Sequence, residues 1–539
     1  MAVLASFPLV ALLLAACATP EARQAAPALA CADLAGSVVR PQQIGLPTGG
    51  ATVLSAEAIR DESDARRLSD YCRVTASIRA LESDTPEIRF QLNLPLQWNG
   101  KAVQMGGSAY NGAVVTGTGP IPFASLTAPL SQGYATYGSD SGHAGAGDDA
   151  RFALNDAALA NFGHAHIKKA HDAALALIRL HYGRAPRRSY FAGASTGGRE
   201  AMTAAQRWPQ DYDGVLAIAP AINFVGVRLH GIRVGQAAYV EGGFIPREKQ
   251  ALIRARALAS CDADDGIADG IIGDVRACRA KAPEIFAALR CPGGRDGAAS
   301  ACLSDAQLRV VRALADDLLL RYPLAAGVDR HPGYNILQGA DFSGSLGLGT
   351  SPRLTQPPNV FSNGYLFAQG DAFFRHFVAR DPARSSLAFD PREGGGFRQR
   401  LRGLSNEVGA ANPDLSRFRE RGGKLLLMHG LADEVISPNA TIAYYEGQVL
   451  RWGREEANAF IRLLTVPGFG HGGGAFVPAW EALDALDTWV ERGSLPATMT
   501  GVDLNAATRG RARPLCPYPQ WPRYQGGDAA AAGSFRCVG

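Results

Sequence analysis

The stretch from Ser189 to Met202, SYFAGASTGGREAM, constrains this chain more than any other. An apolar run ends at Phe191-Ala192, the turn Gly193-Ala194-Ser195-Thr196-Gly197 follows, and a helix-like segment runs from Arg199 to Arg207. Strand, tight turn and helix in that order are the context in which G-x-S-x-G forms a nucleophile elbow. The turn forces its serine into strained backbone angles, and a side chain at Gly193 or Gly197 would collide with the neighbouring strand or helix. Ser195 is expected to stand above a sheet edge with a helix N-terminus behind it. In a chain of 62 glycines the motif alone also fits a glycine-rich turn with a solvated serine. The decision rests on what the other strand ends carry.

Gly423 to Gly430 reads as a strand and turn, and Asp433 follows just past it in LADEVISP. Phe460 to Val466 reads as a last strand, and His471 lies in the next loop, PGFGHGGG. His429 and Glu434 compete with them for the same roles. Earlier strands are expected within Val74 to Leu94, over Tyr134 to Tyr137 and over Gly214 to Ile218, with a helix from His166 to Tyr182. Strands alternating with helices predict a mostly parallel sheet, and 539 residues at 47% hydrophobic can bury a large core. The order Ser195, Asp433, His471 is that of α/β-hydrolases and not of the chymotrypsin or subtilisin types. In that fold one oxyanion N–H comes from the residue after the nucleophile, here Thr196. The other comes from a loop after an early strand, where Gly107 of Gly106-Gly107 is the expected donor.

Between about Asn223 and Asn412 the alternation stops, and this region reads as a large insertion lying over the strand ends as a lid. The expected division is residues 1–30 as signal and tether, 31–222 with 413–539 as the catalytic domain, and 223–412 as the lid. Most of the aromatics Phe361, Tyr365, Phe367, Phe373, Phe374 and Phe377 are expected to form the lid's own core. Within it, CDADDGIADGIIGDVRAC crowds Asp262, Asp265 and Asp269 into a glycine-bent loop. Such crowding is costly unless a cation neutralises it, and hard oxygen donors suit Ca²⁺; a solvated acidic turn is the alternative. It is not an EF-hand, because Gly266 stands where that loop needs a ligand.

The apolar run Val3 to Ala16 is too short to span a bilayer and ends in Leu14-Ala15-Ala16-Cys17, which resembles a bacterial lipobox. Lipidation at Cys17 and export follow as expectations, either to the periplasm or outer membrane as a lipoprotein or, with plain signal cleavage, as a secreted protein. Eight further cysteines in an exported chain argue for cystines, with neighbour pairing the economical arrangement among 105. A formal net charge of +4 on this length gives no basic stripe for nucleic acid.

The motifs WNGK, GSDSGH, SYFAGASTGGRE, CDADDGIADGII, LLLMHGLADEVISP, VPGFGHGGG and RPLCPYPQWPRY, spread from Cys31 to Cys537, together resemble the tannase and feruloyl esterase family, which also includes mono(2-hydroxyethyl) terephthalate hydrolase. The resemblance implies an α/β-hydrolase sheet flanked by helices, with nucleophile Ser195, acid Asp433 and base His471. It implies structural calcium held by Asp262, Asp265 and Asp269 with the carbonyls of Ile267 and Ile271. It also implies the cystines Cys31–Cys72, Cys261–Cys278, Cys291–Cys302 and Cys516–Cys537. The expected activity is hydrolysis of small esters of aromatic, phenolic acids through an acyl-enzyme. A hydroxyethyl-terephthalate-type hydrolase is the alternative, with a peptidase on the same fold or a dead surface binding protein further behind. The chain departs from the family in two places. Ser108 and Ala109 replace the last two glycines of the oxyanion loop, and Ala194 and Gly472 replace a cystine beside the triad. Small residues at both of the latter positions predict closely approaching loops, with the cystine's volume filled by backbone or a water.

Overall fold

The apolar runs become the strands of one sheet in the computed structural model, which describes residues 29–60, 70–296 and 301–539; Cys17 and its apolar run lie outside them. The strands are β1 (Val38–Val39), β2 (Ala51–Ile59), β3 (Tyr71–Ile78), β4 (Ile88–Pro95), β5 (Lys101–Met105), β6 (Ala135–Ser139), β7 (Arg188–Ala194), β8 (Gly214–Ile218), β9 (Lys424–Gly430) and β10 (Ile461–Val466). Their order across the sheet is β1-β2-β3-β4-β6-β5-β7-β8-β9-β10. From β6 to β10 every neighbour pair is parallel. The mostly parallel expectation fails from β1 to β6, where each neighbour pair is antiparallel. The loop 79–87 shows why: it is shorter than the roughly dozen residues that a parallel crossover needs.

Helices cover both faces of the parallel half, so its central strands are apolar throughout. Helix α1 (His166–Tyr182) turns Ile167, Ala170, Ala174, Leu177 and Ile178 inward and stops at Gly183, whose φ of 70° gives the left-handed cap. Helix α2 (Thr196–Arg207) follows β7 directly and opens at Thr196, three residues before the expected start.

No strand of this sheet lies between β8 and β9. That segment instead carries α3 (Phe224–Ala238), α4 (Arg247–Cys261) and α5 (Tyr365–Phe373) among other helices. It has a core of its own, built on residues such as Ile253, Leu289, Leu303, Leu314 and Tyr334. Phe373, Phe374 and Phe377 lie elsewhere, in a cluster shared with Tyr110, Phe162 and Phe224. Phe373 and Phe374 pack on other rings of the insertion, Phe224, Phe389 and Phe397, and Phe367 on Tyr239, as expected, whereas Phe377 reaches Tyr110, Phe152 and Phe162 outside it. Phe377 thereby forms the seam between the insertion and the rest of the chain, where large flat side chains bury the most area per residue. Phe361 is 62% exposed and joins neither cluster. After β9 come α6 (Pro438–Trp452) and α7 (Ala482–Arg492), and α7 sets Leu483, Leu486 and Trp489 against Tyr190, Leu216 and Leu426 of the sheet.

The four cystines are Cys31–Cys72, Cys261–Cys278, Cys291–Cys302 and Cys516–Cys537, the pairing that the resemblance implies.

Candidate active site

Ser195 follows β7 with φ 60° and ψ −119°, a conformation that L-residues rarely adopt. Three contacts hold it there: its N–H donates to Ile218 O at 2.9 Å, and its carbonyl accepts from Arg199 N–H at 3.0 Å and from Ala221 N–H at 3.2 Å. Both flanking glycines are required. A Cβ on Gly193 would sit 2.5 Å from the Gly197 backbone, and one on Gly197 would sit 2.7 Å from Gly107 O.

The structure brings the three candidates from separate strand ends together. His471 Nε2 lies 3.0 Å from Ser195 Oγ, and its Nδ1 lies 2.8 Å from Asp433 Oδ2. Asp433 is fully buried, and its Oδ1 accepts the N–H groups of Val435 and Ile436, both at 2.8 Å. The competitor His429 reaches Asp433, Thr441 and Ile436 instead of the serine. Glu434 accepts the backbone N–H of His471 at 3.1 Å through Oε2, so it braces the histidine loop.

Charge follows from burial. Desolvation favours neutral Asp433, but His471 and His429 outweigh it and hold the carboxyl well below the usual range. Burial opposes protonation of His471, yet Asp433 and then Glu434 raise it above the ordinary 6.5. Burial and the neighbouring Asp433 push Glu434 up to about 7. An ionised aspartate beside a basic imidazole is the state that can accept a serine proton.

The oxyanion loop departs from expectation. Gly107 is not a free donor, because its N–H already reaches Glu200 Oε2 at 3.0 Å. Asn111 donates to the other oxygen of the same carboxylate. Glu200 is buried, which disfavours its charge, but His166, Arg199 and the Gly107 N–H together keep its pKa below the ordinary value. It thereby ties the loop 107–111 to α2. The N–H groups of Ser108, Ala109 and Thr196 make no backbone hydrogen bond among the described residues. The Thr196 hydroxyl donates to Ala109 O at 2.6 Å and holds the two sides of the hole together. Glu200 was not among the residues expected from the sequence, although an acid in the second turn of the helix after the elbow, facing a glycine loop, is a legible signal.

A side chain fills the place of the absent cystine. A Cβ on Gly472, whose φ is 85°, would meet Phe123 Cε1 at 2.5 Å. The Phe123 ring stands edge-on to the His471 ring, with centroids 5.4 Å apart. Phe123 itself has φ 66°, a strained conformation for a bulky residue. The expected filling by backbone or water is replaced by this ring. A cavity of about 610 Å³ opens beside His471 and Glu434, bounded across by Arg254, Asp341 and Leu346 of the insertion. That size suits a small organic substrate.

In the acidic loop Asp262 accepts Gly270 N–H, Asp265 accepts Ile267 and Gly273 N–H, and Asp269 accepts Ile271 N–H and Arg513. Burial, with the neighbouring carboxylates adding to it, pushes Asp265 up to about 7, and the arginines Arg513, at 2.6 Å, and Arg511, at 3.9 Å, pair with Asp269. The Ile267 and Ile271 carbonyls accept no backbone hydrogen bond among the described residues. The donor set is chemically that of calcium, although the three carboxylates do not all come within 4.8 Å of one another here. The acidic group that does converge, His171, Asp172 and Asp211, is already bridged by Lys168 at 2.8 and 3.0 Å.

A strained serine at the end of a parallel strand, met by a histidine after the last strand and an aspartate after the one before, belongs to the α/β-hydrolase class, and the sheet order agrees. The chain belongs to the tannase and feruloyl esterase family, whose model it matches over residues 72–538. It is a carboxylic-ester hydrolase. An uncharacterized esterase of Agrobacterium fabrum is 40% identical, covering 94% of this chain and 93% of that protein. A mono(2-hydroxyethyl) terephthalate hydrolase of Piscinibacter sakaiensis is 32% identical, covering 90% of this chain and 89% of that protein. The crystal structure of feruloyl esterase B from Aspergillus oryzae shares the fold at a TM-score of 0.74 and 23% identity, over 92% of this chain and 98% of the other.

Proposed function

We propose that the chain hydrolyses esters of aromatic acids by serine catalysis. The observation that carries this is the continuous relay from Ser195 Oγ through both nitrogens of His471 to buried Asp433. Ser195 attacks the ester carbonyl as His471 Nε2 takes its proton. Asp433 orients the ring and stabilises the imidazolium. The oxyanion is received by the N–H of Thr196 and, with the Gly107 N–H occupied, by that of Ser108. Protonated His471 then donates to the leaving alkoxide, and a water activated by the same imidazole releases the acid.

Family membership supports aromatic acyl groups. The terephthalate-hydrolase relative supports a second reading, in which the acid is a benzenedicarboxylate. Division into a catalytic domain of residues 31–222 and 413–539 and a lid of 223–412 fits the strand distribution. Calcium in the lid loop, held by Asp262, Asp265, Asp269 and the Ile267 and Ile271 carbonyls, supplies charge neutralisation and no catalytic step. Export is supported by four cystines, which persist in oxidising compartments. A lipid on Cys17 would make the membrane an anchor only, and among the described residues no helix is long and apolar enough to cross one.

The test is Ser195→Ala assayed on methyl ferulate, methyl gallate, simple aryl esters and hydroxyethyl terephthalate. We expect a loss of at least about 10⁴-fold with the fold intact. A folded variant that keeps most of its activity removes Ser195 from the mechanism.

A further inference from the structure

The motif GSDSGH, Gly138 to His143, contributes no residue to the triad or to the oxyanion donors, yet its histidine is buried, at 4% exposure, beside the oxyanion loop. The motif begins in β6 and turns at Ser141, with φ 65°, and Gly142, with φ 89°. A Cβ on Gly142 would meet the Asn161 side chain at 2.7 Å, so the turn needs glycine there. The turn delivers the His143 ring onto Phe152, with centroids 3.8 Å apart and planes 18° from parallel. Its Nε2 then lies 2.9 Å from the carbonyl oxygen of Tyr110. Burial pushes the ring's pKa down to about 4, so it is neutral at pH 7. A carbonyl can only accept, which places the one proton on Nε2.

Tyr110 lies in the turn that presents the oxyanion donor. The peptide that carries the Ser108 N–H is fixed on its carbonyl side, where Gly107 O accepts Gly197 N–H at 2.8 Å, and Ser108 O accepts Asn111 N–H at 2.7 Å. Ala109 and Asn111 have φ 48° and 51°, left-handed backbone that persists outside glycine only where the surroundings impose it. Those surroundings act from two sides. From the elbow, Glu200 and the Thr196 hydroxyl hold Gly107, Asn111 and Ala109. From the loop after β6, Gly147 O accepts Tyr110 N–H at 3.0 Å, Asp140 O accepts Gly112 N–H at 3.1 Å, and Gly112 O accepts Gly145 N–H at 3.0 Å. These three bonds depend on no side chain; the fourth, from His143, does. Tyr110 O accepts no backbone hydrogen bond among the described residues, so without His143 a buried acceptor goes unmet and the turn loses a restraint.

We propose that His143 is a positioning residue of the oxyanion hole. By donating from Nε2 to Tyr110 O it holds the 108–111 turn in the conformation that presents the Ser108 N–H to the developing oxyanion. It acts through the turn and hydrogen-bonds to no member of the triad. The donor is thus ordered before substrate arrives, and a preorganised donor needs no rearrangement as charge develops. This rests on the serine-esterase reading above.

Two variants isolate the bond: His143→Phe keeps a ring against Phe152 and removes the donor, whereas His143→Gln returns an N–H near the place of Nε2. With melting curves confirming the fold, His143→Phe should lower kcat roughly 10- to 100-fold, less than the loss on deleting an oxyanion donor outright. KM should stay within about twofold, because the hole acts in the transition state, and His143→Gln should recover most of the loss. A matched inhibitor pair gives the readout that a merely structural role would not move. Ser195 Oγ adds to the carbonyl of 2,2,2-trifluoroacetophenone, its proton passing to His471 while the carbonyl oxygen becomes the oxyanion; acetophenone binds without adding. His143→Phe should weaken the trifluoro ketone by the same factor as kcat and leave acetophenone unchanged. Equal weakening of both ketones, or of neither, overturns the proposal. Histidine ¹⁵N spectra of the wild type decide independently of any variant's folding: His143 should be the neutral Nε2–H tautomer, and an Nδ1–H tautomer overturns the assignment. Activity that survives Ser195→Ala would sink the esterase reading and this one with it, whereas failure of the inhibitor test leaves the esterase reading standing.

Discussion

At the residue scale, His471 is the group whose chemistry the surroundings tune most directly. Asp433, with Glu434 behind it, raises its pKa above 6.5 against the pull of burial. Only neutral His471 can accept the Ser195 proton, so activity should fall as pH drops through this raised value. The acid limb of kcat/KM is therefore expected above pH 6.5, the ordinary histidine value. Glu434→Gln removes one negative charge from beside the ring and should move that limb to lower pH. A pH-rate profile decides it, and an unmoved limb would show that Glu434 braces the loop without tuning the base. The triad was legible because each member follows an apolar run at a strand end. The oxyanion donor was not: which N–H of Gly107, Ser108 or Ala109 is free depends on Glu200, a partner 93 residues from Gly107.

Among the elements, the histidine loop shows how a missing covalent link is replaced. Phe123 packs where a Cβ on Gly472 would fall. Gly472→Ala should therefore lower both melting temperature and activity, while Phe123→Ala should relieve much of the clash. A double-mutant cycle on unfolding free energy should show coupling of about 0.5–3 kcal/mol, and additive effects would mean that the two residues do not share this space. The acidic loop is the second element under test. Exhaustive chelation should lower the melting temperature, because three carboxylates closed in by Cys261–Cys278 lose their counter-charge. An unchanged melting curve with no metal by elemental analysis would leave Arg513 as the loop's own counterion.

For the whole molecule, the seam between the insertion and the rest of the chain is an aromatic cluster with no covalent tie among the described cystines. Phe377, fully buried against Tyr110, Phe152, Phe162 and Phe373, is central to it. Phe377→Ala should cost about 3–5 kcal/mol in a denaturation experiment, and a loss under about 1 kcal/mol would show that the seam carries little of the stability. The sequence by itself determined the elbow, the strand ends that carry Asp433 and His471, and the break in strand–helix alternation after β8. Those features are local: periodicity, turn chemistry and chain order are written in neighbouring residues. The tertiary structure alone decided that the Gly107 N–H is taken by Glu200, that Phe123 fills the cystine's place, and that Phe377 packs against Tyr110, Phe152 and Phe162 outside the insertion. Each is a contact between residues far apart in the chain, and a single sequence records the side chains but not the distances between them.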